Sequence, residues 1–242
     1  MNEIPLRIPL RDGCTAHGYW HPGSAGPIVV FAHGLLSSMD EPLIVHAAQL
    51  LASQGNATYR CNFYADAEDS RGFAATTPTR HGEDLDAVAH TLRANNPGRP
   101  VVVVAHSFGM VAATLMREPL DALVGWDASH HAHFGWLDEL CRQRDGSLTF
   151  VDSPATEISP AFVAEAQALD CDALIRMVAC PVFLLHSTTE PHRAQSSARY
   201  AAAAPDCRGD LAIAMSNHTF GCDGNVAELC SYTQRFLRDC FA

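Results

Sequence analysis

Short runs of consecutive apolar residues alternate with stretches whose apolar positions recur at helical spacing, and this pattern organises nearly the whole chain. Ile28-Val-Val-Phe-Ala32 and Val101-Val-Val-Val104 are apolar without interruption, the mark of strands buried on both faces of a parallel sheet. Edge strands are predicted at Ile4–Pro9 and Gly18–Trp20, around the turn Asp12-Gly13. Further strands follow at Thr58–Phe63, Ala122–Trp126, Pro181–Leu185 and Leu211–Met215. Helical stretches lie between them. Leu43–Ala52 is closed by Gly55. Thr77-Pro78 opens a second helix with a capping hydroxyl and a proline at the first helical position. Its Leu85, Val88, Ala89 and Leu92 share one face before Asn96-Pro97-Gly98 ends it. Phe108–Met116, Ala161–Leu169, Arg193–Ala203 and Asn225–Phe241 read as further helices.

Strand–helix alternation on this scale predicts an α/β fold, with a mostly parallel central sheet of about eight strands flanked by helices. Residues 130–178 break the alternation and read as a small lid insertion over the sheet's edge, within one domain spanning 1–242. The length of 242 residues suits a single large core.

Composition narrows the partners. The formal net charge is −11 and the 16 basic residues are scattered. That argues against nucleic acid or an anionic membrane, both of which need clustered Lys and Arg. The first dozen residues alternate apolar and charged types, unlike a signal peptide, and no apolar run is long enough to suggest a membrane span. Nine cysteines occur in no C-x-x-C pair, a pattern expected of free thiols in the cytoplasm. Neither G-x-G-x-x-G nor a P-loop is present, so no nucleotide cofactor is expected. His130-His131-Ala132-His133 lacks further ligands at zinc-site spacing, and reads as the polar mouth of the insertion rather than a metal site.

The chemistry concentrates after the four valines. Ala105-His106-Ser107-Phe108-Gly109 places a serine between a buried strand and a helix, the context of the G-x-S-x-G nucleophile elbow. The tight turn requires small residues two before and two after the serine, and Ala105 meets that requirement in place of glycine. Such a turn presents the Ser107 hydroxyl at the carboxyl edge of the sheet. It also aims the first N–H groups of the following helix at a developing oxyanion.

On these residues the sequence resembles the α/β-hydrolase superfamily, and within it compact bacterial esterases of the cinnamoyl-esterase and serine-aminopeptidase-like type. The resemblance implies Ser107 as nucleophile and His218, in Ser216-Asn-His-Thr-Phe220 after the last strand, as general base. Phe31-Ala-His-Gly-Leu-Leu36 resembles the family's H-G oxyanion segment. It implies that the N–H groups of Leu35 and Phe108 form the oxyanion hole, with His33 holding the loop. For the acid, Leu185-His-Ser-Thr-Thr-Glu190 resembles the family's H-G-x-x-D, which puts Glu190 in the triad; Asp127, after Ala122–Trp126, is the alternative. Trp126, Phe134 and Trp136 are candidates for an acyl pocket, or for plain core.

The implied function is hydrolysis of small carboxylic esters, of short-chain or aromatic acyl groups, through an acyl-enzyme. Thioester hydrolysis or acyl transfer on the same triad is the alternative. Lyase or perhydrolase chemistry and ligand binding without catalysis are the further ones. Oligomeric state is not legible in the sequence.

Overall fold

The two uninterrupted apolar runs lie side by side at the centre of the fold. In a computed structural model, which describes residues 3–142, 148–150 and 153–241, β3 (Ile28–Ala32) and β5 (Val101–His106) pair in parallel from Ile28 with Val101 to Ala32 with Ala105. Around them stand β1 (Ile4–Pro9), β2 (Thr15–His21), β4 (Ala57–Cys61), β6 (Ala122–Trp126), β10 (Val182–Ser187) and β11 (Cys207–Ile213). The eight strands run in the order β1-β2-β4-β3-β5-β6-β10-β11. Only the β1–β2 and β2–β4 pairs are antiparallel. The mostly parallel, eight-stranded sheet matches the expectation.

Successive side chains of a strand point to opposite faces, so the apolar runs feed two cores. Val30, Ala32, Val101, Val103 and Ala105 pack with α2 (Pro78–Asn95) and α3 (Gly109–Thr114). That core also takes in α4 (Pro160–Ala168), α5 (Cys171–Arg176) and α6 (Pro191–Ala203). Val29, Phe31, Val102 and Val104 face α1 (Pro42–Ser53) and α7 (Asn225–Phe241) on the other side. Each fully buried aliphatic or aromatic side chain contributes roughly 1.5–3 kcal/mol, so these central strands are strongly held by burial on both faces. The carboxyl ends of β5, β6 and β10, and the loop after β11, are therefore well-held attachment points. Thr77 caps α2, its side chain accepting from the Arg80 N–H at 3.3 Å.

Several boundaries shift from the sequence reading: β2 begins at Thr15 rather than Gly18, and α3 is shorter than Phe108–Met116. β11 begins at Cys207, four residues before the predicted Leu211. As the outermost strand on this side it is mostly accessible, so apolar alternation does not mark its start. Residues 130–178 hold more regular structure than the pattern reveals. A 3-10 segment, His131–Glu139, leads into a small antiparallel sheet of β7 (Leu140–Arg142), β8 (Leu148–Phe150) and β9 (Ser153–Ile158). β7 and β8, of three residues each, are too short for a period of two to show. No described helix is long and apolar enough to cross a membrane.

Candidate active site

Ser107 follows β5 directly and has a left-handed backbone, φ +55°. Side-chain-bearing residues hold that conformation only where neighbours over-determine it. Here the Ser107 N–H donates to the Trp126 carbonyl at 2.9 Å, and the Ser107 carbonyl accepts from the Ser129 N–H at 3.0 Å. Gly109 makes the turn possible. A β-carbon there would lie 2.2 Å from the Ala32 carbonyl oxygen, whereas Ala105 sits fully buried without conflict.

His218 lies in the loop after β11, anchored by the buried Phe220. Its Nε2 is 3.0 Å from Ser107 Oγ, and its Nδ1 is 2.6 Å from Asp127 Oδ2. Asp127 leaves β6 with φ +50° and is fully buried. Its Oδ1 accepts from the Ser187 N–H at 2.8 Å, and its Oδ2 also accepts from the Ser187 hydroxyl at 3.0 Å. Burial alone would raise the Asp127 pKa. The hydrogen bonds from His218 and Ser187, with the charge of Arg193, outweigh it and hold the carboxyl below its ordinary value. Burial lowers the His218 pKa, and His106 and Arg193 add to that against the opposing pull of Asp127. The resting pair is thus carboxylate and neutral imidazole. With Nδ1–H given to Asp127, Nε2 carries a lone pair towards the serine.

Gly34 approaches from the far side. A β-carbon on it would stand 3.0 Å from Ser107 Cβ and 3.4 Å from Oγ. His33 is buried behind this turn, its Nδ1 donating to the Gly34 carbonyl at 2.8 Å and its Nε2 accepting from the Phe63 N–H at 3.1 Å. Burial pushes its pKa down to about 4, so it serves as a neutral brace. A cleft of about 670 Å³ opens over Ser107, with Leu35, Phe108 and Ser129 around the serine and His133 and Arg193 beyond.

Solved structures of similar shape span the whole chain. The esterase domain of a Rhodothermus marinus protein is 19% identical, with 99% of each chain covered and a TM-score of 0.76. Est1E from Butyrivibrio proteoclasticus, with ferulic acid bound, is 17% identical over 97% of this chain and 98% of its own, at 0.74. Mouse alpha/beta hydrolase domain-containing protein 10 is 19% identical over 98% and 99%, also at 0.74. The chain has the α/β-hydrolase fold. No family model matches it, nor does any curated protein sequence.

Within the α/β-hydrolase fold, Ser107 and His218 meet as the sequence suggests, and Leu35 and Phe108 both border the cleft beside Ser107. The two candidate acids are placed differently. Glu190 makes no hydrogen bond to His218; its carboxylate accepts from Arg193 Nε at 3.2 Å and lies 3.4 Å from His192 Nε2. The reason is the course of the chain after β10. The N–H groups of Thr188 and Thr189 donate to the Ser216 carbonyl, and Glu190 then becomes the residue that starts α6, with its side chain at the cleft's rim. Asp127, the alternative, holds the position against the imidazole.

Trp126 is core, its Nε1 donating to Thr233 Oγ1 at 3.2 Å. Phe134 packs against Phe108 with the rings tilted and their centroids 5.7 Å apart, and the Trp136 side chain lies outside the described residues. His131, Asp170 and Asp172 bring possible ligand atoms within 4.8 Å of one another. His130 and Arg199 already bond Asp172, at 3.0 and 2.6 Å.

Sequence reasoning missed four neighbours of the site. Ser187 supplies two bonds to Asp127. His106 Nε2 donates to the His218 carbonyl at 2.9 Å, its ring 4.7 Å from that of His218. Ser129 Oγ is 3.2 Å from Ser107 Oγ. Arg193 Nε stands 3.6 Å from Asp127 Oδ2. His106 and Ser187 adjoin recognisable motifs; Ser129 and Arg193 carry no signal in the sequence.

Proposed function

We propose that this protein hydrolyses small carboxylic esters through an acyl-enzyme on Ser107. The observation that carries the reading is the unbroken hydrogen-bonded series Asp127–His218–Ser107, ending at a serine that lines a cleft. Ser107 Oγ attacks the ester carbonyl while His218 Nε2 takes its proton, and Asp127 stabilises the imidazolium that forms. The N–H groups of Leu35 and Phe108 bind the oxyanion, each such donor being worth about 2.7–4 kcal/mol. His218 then passes its proton to the departing alcohol. Water repeats the sequence on the acyl-enzyme and frees Ser107.

The apolar cleft wall at Leu35, Leu36 and Phe108 supports a short or aromatic acyl group. Est1E, alike in fold, holds ferulic acid, an aromatic acid. In this reading residues 130–178 act as the lid within a single domain. The eight cysteines whose side chains are described are all free, which supports a reducing compartment. A fluorophosphonate probe tests the proposal. Covalent labelling and turnover of p-nitrophenyl esters should both vanish in Ser107→Ala; labelling that survives on another residue refutes it. Comparing p-nitrophenyl esters with acyl-CoA substrates separates ester from thioester preference.

A further inference from the structure

We propose that Ser129 is a further catalytic residue, donating a hydrogen bond to the Ser107 oxygen as the acyl-enzyme breaks down. The inference rests on the esterase reading of Ser107. The direction of the bond follows by elimination. Asp127 accepts, so His218 Nδ1 bears the ring proton and Nε2 a lone pair. Ser107 must therefore give its only proton to Nε2. Across the 3.2 Å between the two hydroxyls, Ser107 can then only accept, and Ser129 donates. Arg193 has no acceptor to offer, so at 3.4 Å its Nη1–H donates to Ser129 Oγ and turns the Ser129 proton towards Ser107. The series Arg193, Ser129, Ser107, His218 thus runs in one direction. Arg193 is a positioning residue in it, steadied by Glu190 and lying beside Asp127.

The backbone prepares the Ser129 hydroxyl for this role. The Ser129 N–H donates to the Ser107 carbonyl at 3.0 Å, and the Ser129 carbonyl accepts from the buried Tyr200 hydroxyl at 2.8 Å. Neither bond uses the side chain, so removing the hydroxyl leaves the residue's placement supported.

In deacylation, water attacks the acyl carbon and His218 takes a proton from it. The bond from that carbon to Ser107 Oγ then breaks, the electron pair goes to Oγ, and the proton on His218 follows it. An ester oxygen is a weak acceptor, whereas an oxygen gaining that electron pair is a strong one. The Ser129 bond therefore strengthens along the deacylation coordinate. During acylation the same bond stabilises the oxygen that must attack, which offsets its help in removing the proton.

Stopped-flow hydrolysis of p-nitrophenyl acetate separates the two steps. The burst amplitude counts competent sites, so partial misfolding does not distort the rate constants. In Ser129→Ala, deacylation should slow by about 10- to 100-fold, the size of a hydrogen bond to a charged group, and acylation by less than about 3-fold. Tyr200→Phe, which loosens the loop but keeps the hydroxyl, should leave the ratio of the two rates within about 2-fold. Equal slowing of both steps in Ser129→Ala, an unchanged deacylation rate, or a ratio in Tyr200→Phe that falls as far as in Ser129→Ala overturns the inference. Mass spectrometry of the unaltered protein distinguishes the two proposals. An acetyl adduct on Ser107 upholds the esterase reading whatever Ser129 does, and an adduct elsewhere brings both down.

Discussion

Replacing Asp127 by asparagine changes one atom's chemistry, and the structure dictates which way the new amide must face. Asp127 Oδ1 accepts from the Ser187 N–H at 2.8 Å, and that backbone donor cannot turn away. The asparagine carbonyl must stay there, which directs its NH2 group at His218 Nδ1, now 2.6 Å from Oδ2. The Ser187 hydroxyl, 3.0 Å from the same oxygen, can rotate to accept instead. Two donors cannot face each other at Nδ1, so the ring proton moves to Nε2 and meets Ser107, where no base is left. A tautomer switch of this kind lowers kcat by about 10⁴, equivalent to roughly 5.5 kcal/mol of barrier. The amide is isosteric, so the thermal midpoint should barely move. Glu190→Gln is the matched control. It loses a partly exposed ion pair with Arg193 (side chains 34% and 15% accessible), worth at most about 1 kcal/mol, or about 5-fold. The assay is kcat on p-nitrophenyl acetate per mole of folded protein, folding being checked by the thermal midpoint. A variant Asp127→Asn that keeps more than a tenth of the activity refutes the reasoning. So does a Glu190→Gln variant that loses as much.

Two further outcomes concern pH. Burial holds His218 below its ordinary pKa of 6.5. A base works only when neutral, so kcat/KM should fall as pH drops through a free-enzyme pKa below 6.5; an acid limb at 7 or above contradicts the described environment. His33 has a folded pKa of about 4 against 6.5 when exposed, so between those values the unfolded chain binds the extra proton. Its stabilising share is complete above pH 6.5 and shrinks as pH falls towards 4, by roughly 3 kcal/mol in all. Urea unfolding at pH 7 and pH 4.5 should show that loss flattened in His33→Gln; an identical loss in both proteins removes His33 as its cause.

Several aspects of the site are properties of the local sequence. A run of four valines ending in a small-residue turn forces a buried parallel strand to stop abruptly, and whatever follows it is exposed at the sheet's carboxyl edge. Ser107 could be located on that ground. Gly34 after the neighbouring buried strand is legible in the same way, because parallel pairing of β3 with β5 sets their ends together. His218 follows from being the histidine after the last strand.

The acid was a choice between two carboxylates after two different strands, and no local pattern decides it. β6 adjoins β5 in the sheet while β10 is one strand further out, and Asp127 turns inward through a left-handed backbone. The loop carrying Glu190 is instead tied to the Ser216 carbonyl and starts a helix. Ser129 and Arg193 are likewise ordinary in sequence, brought to Ser107 from separate elements by the packing of α6 on the sheet. Elements and their ends follow from the period of burial along the chain, which is local. Which side chains share one hydrogen-bonded network depends on distances between segments far apart in sequence, and only the tertiary structure supplies those.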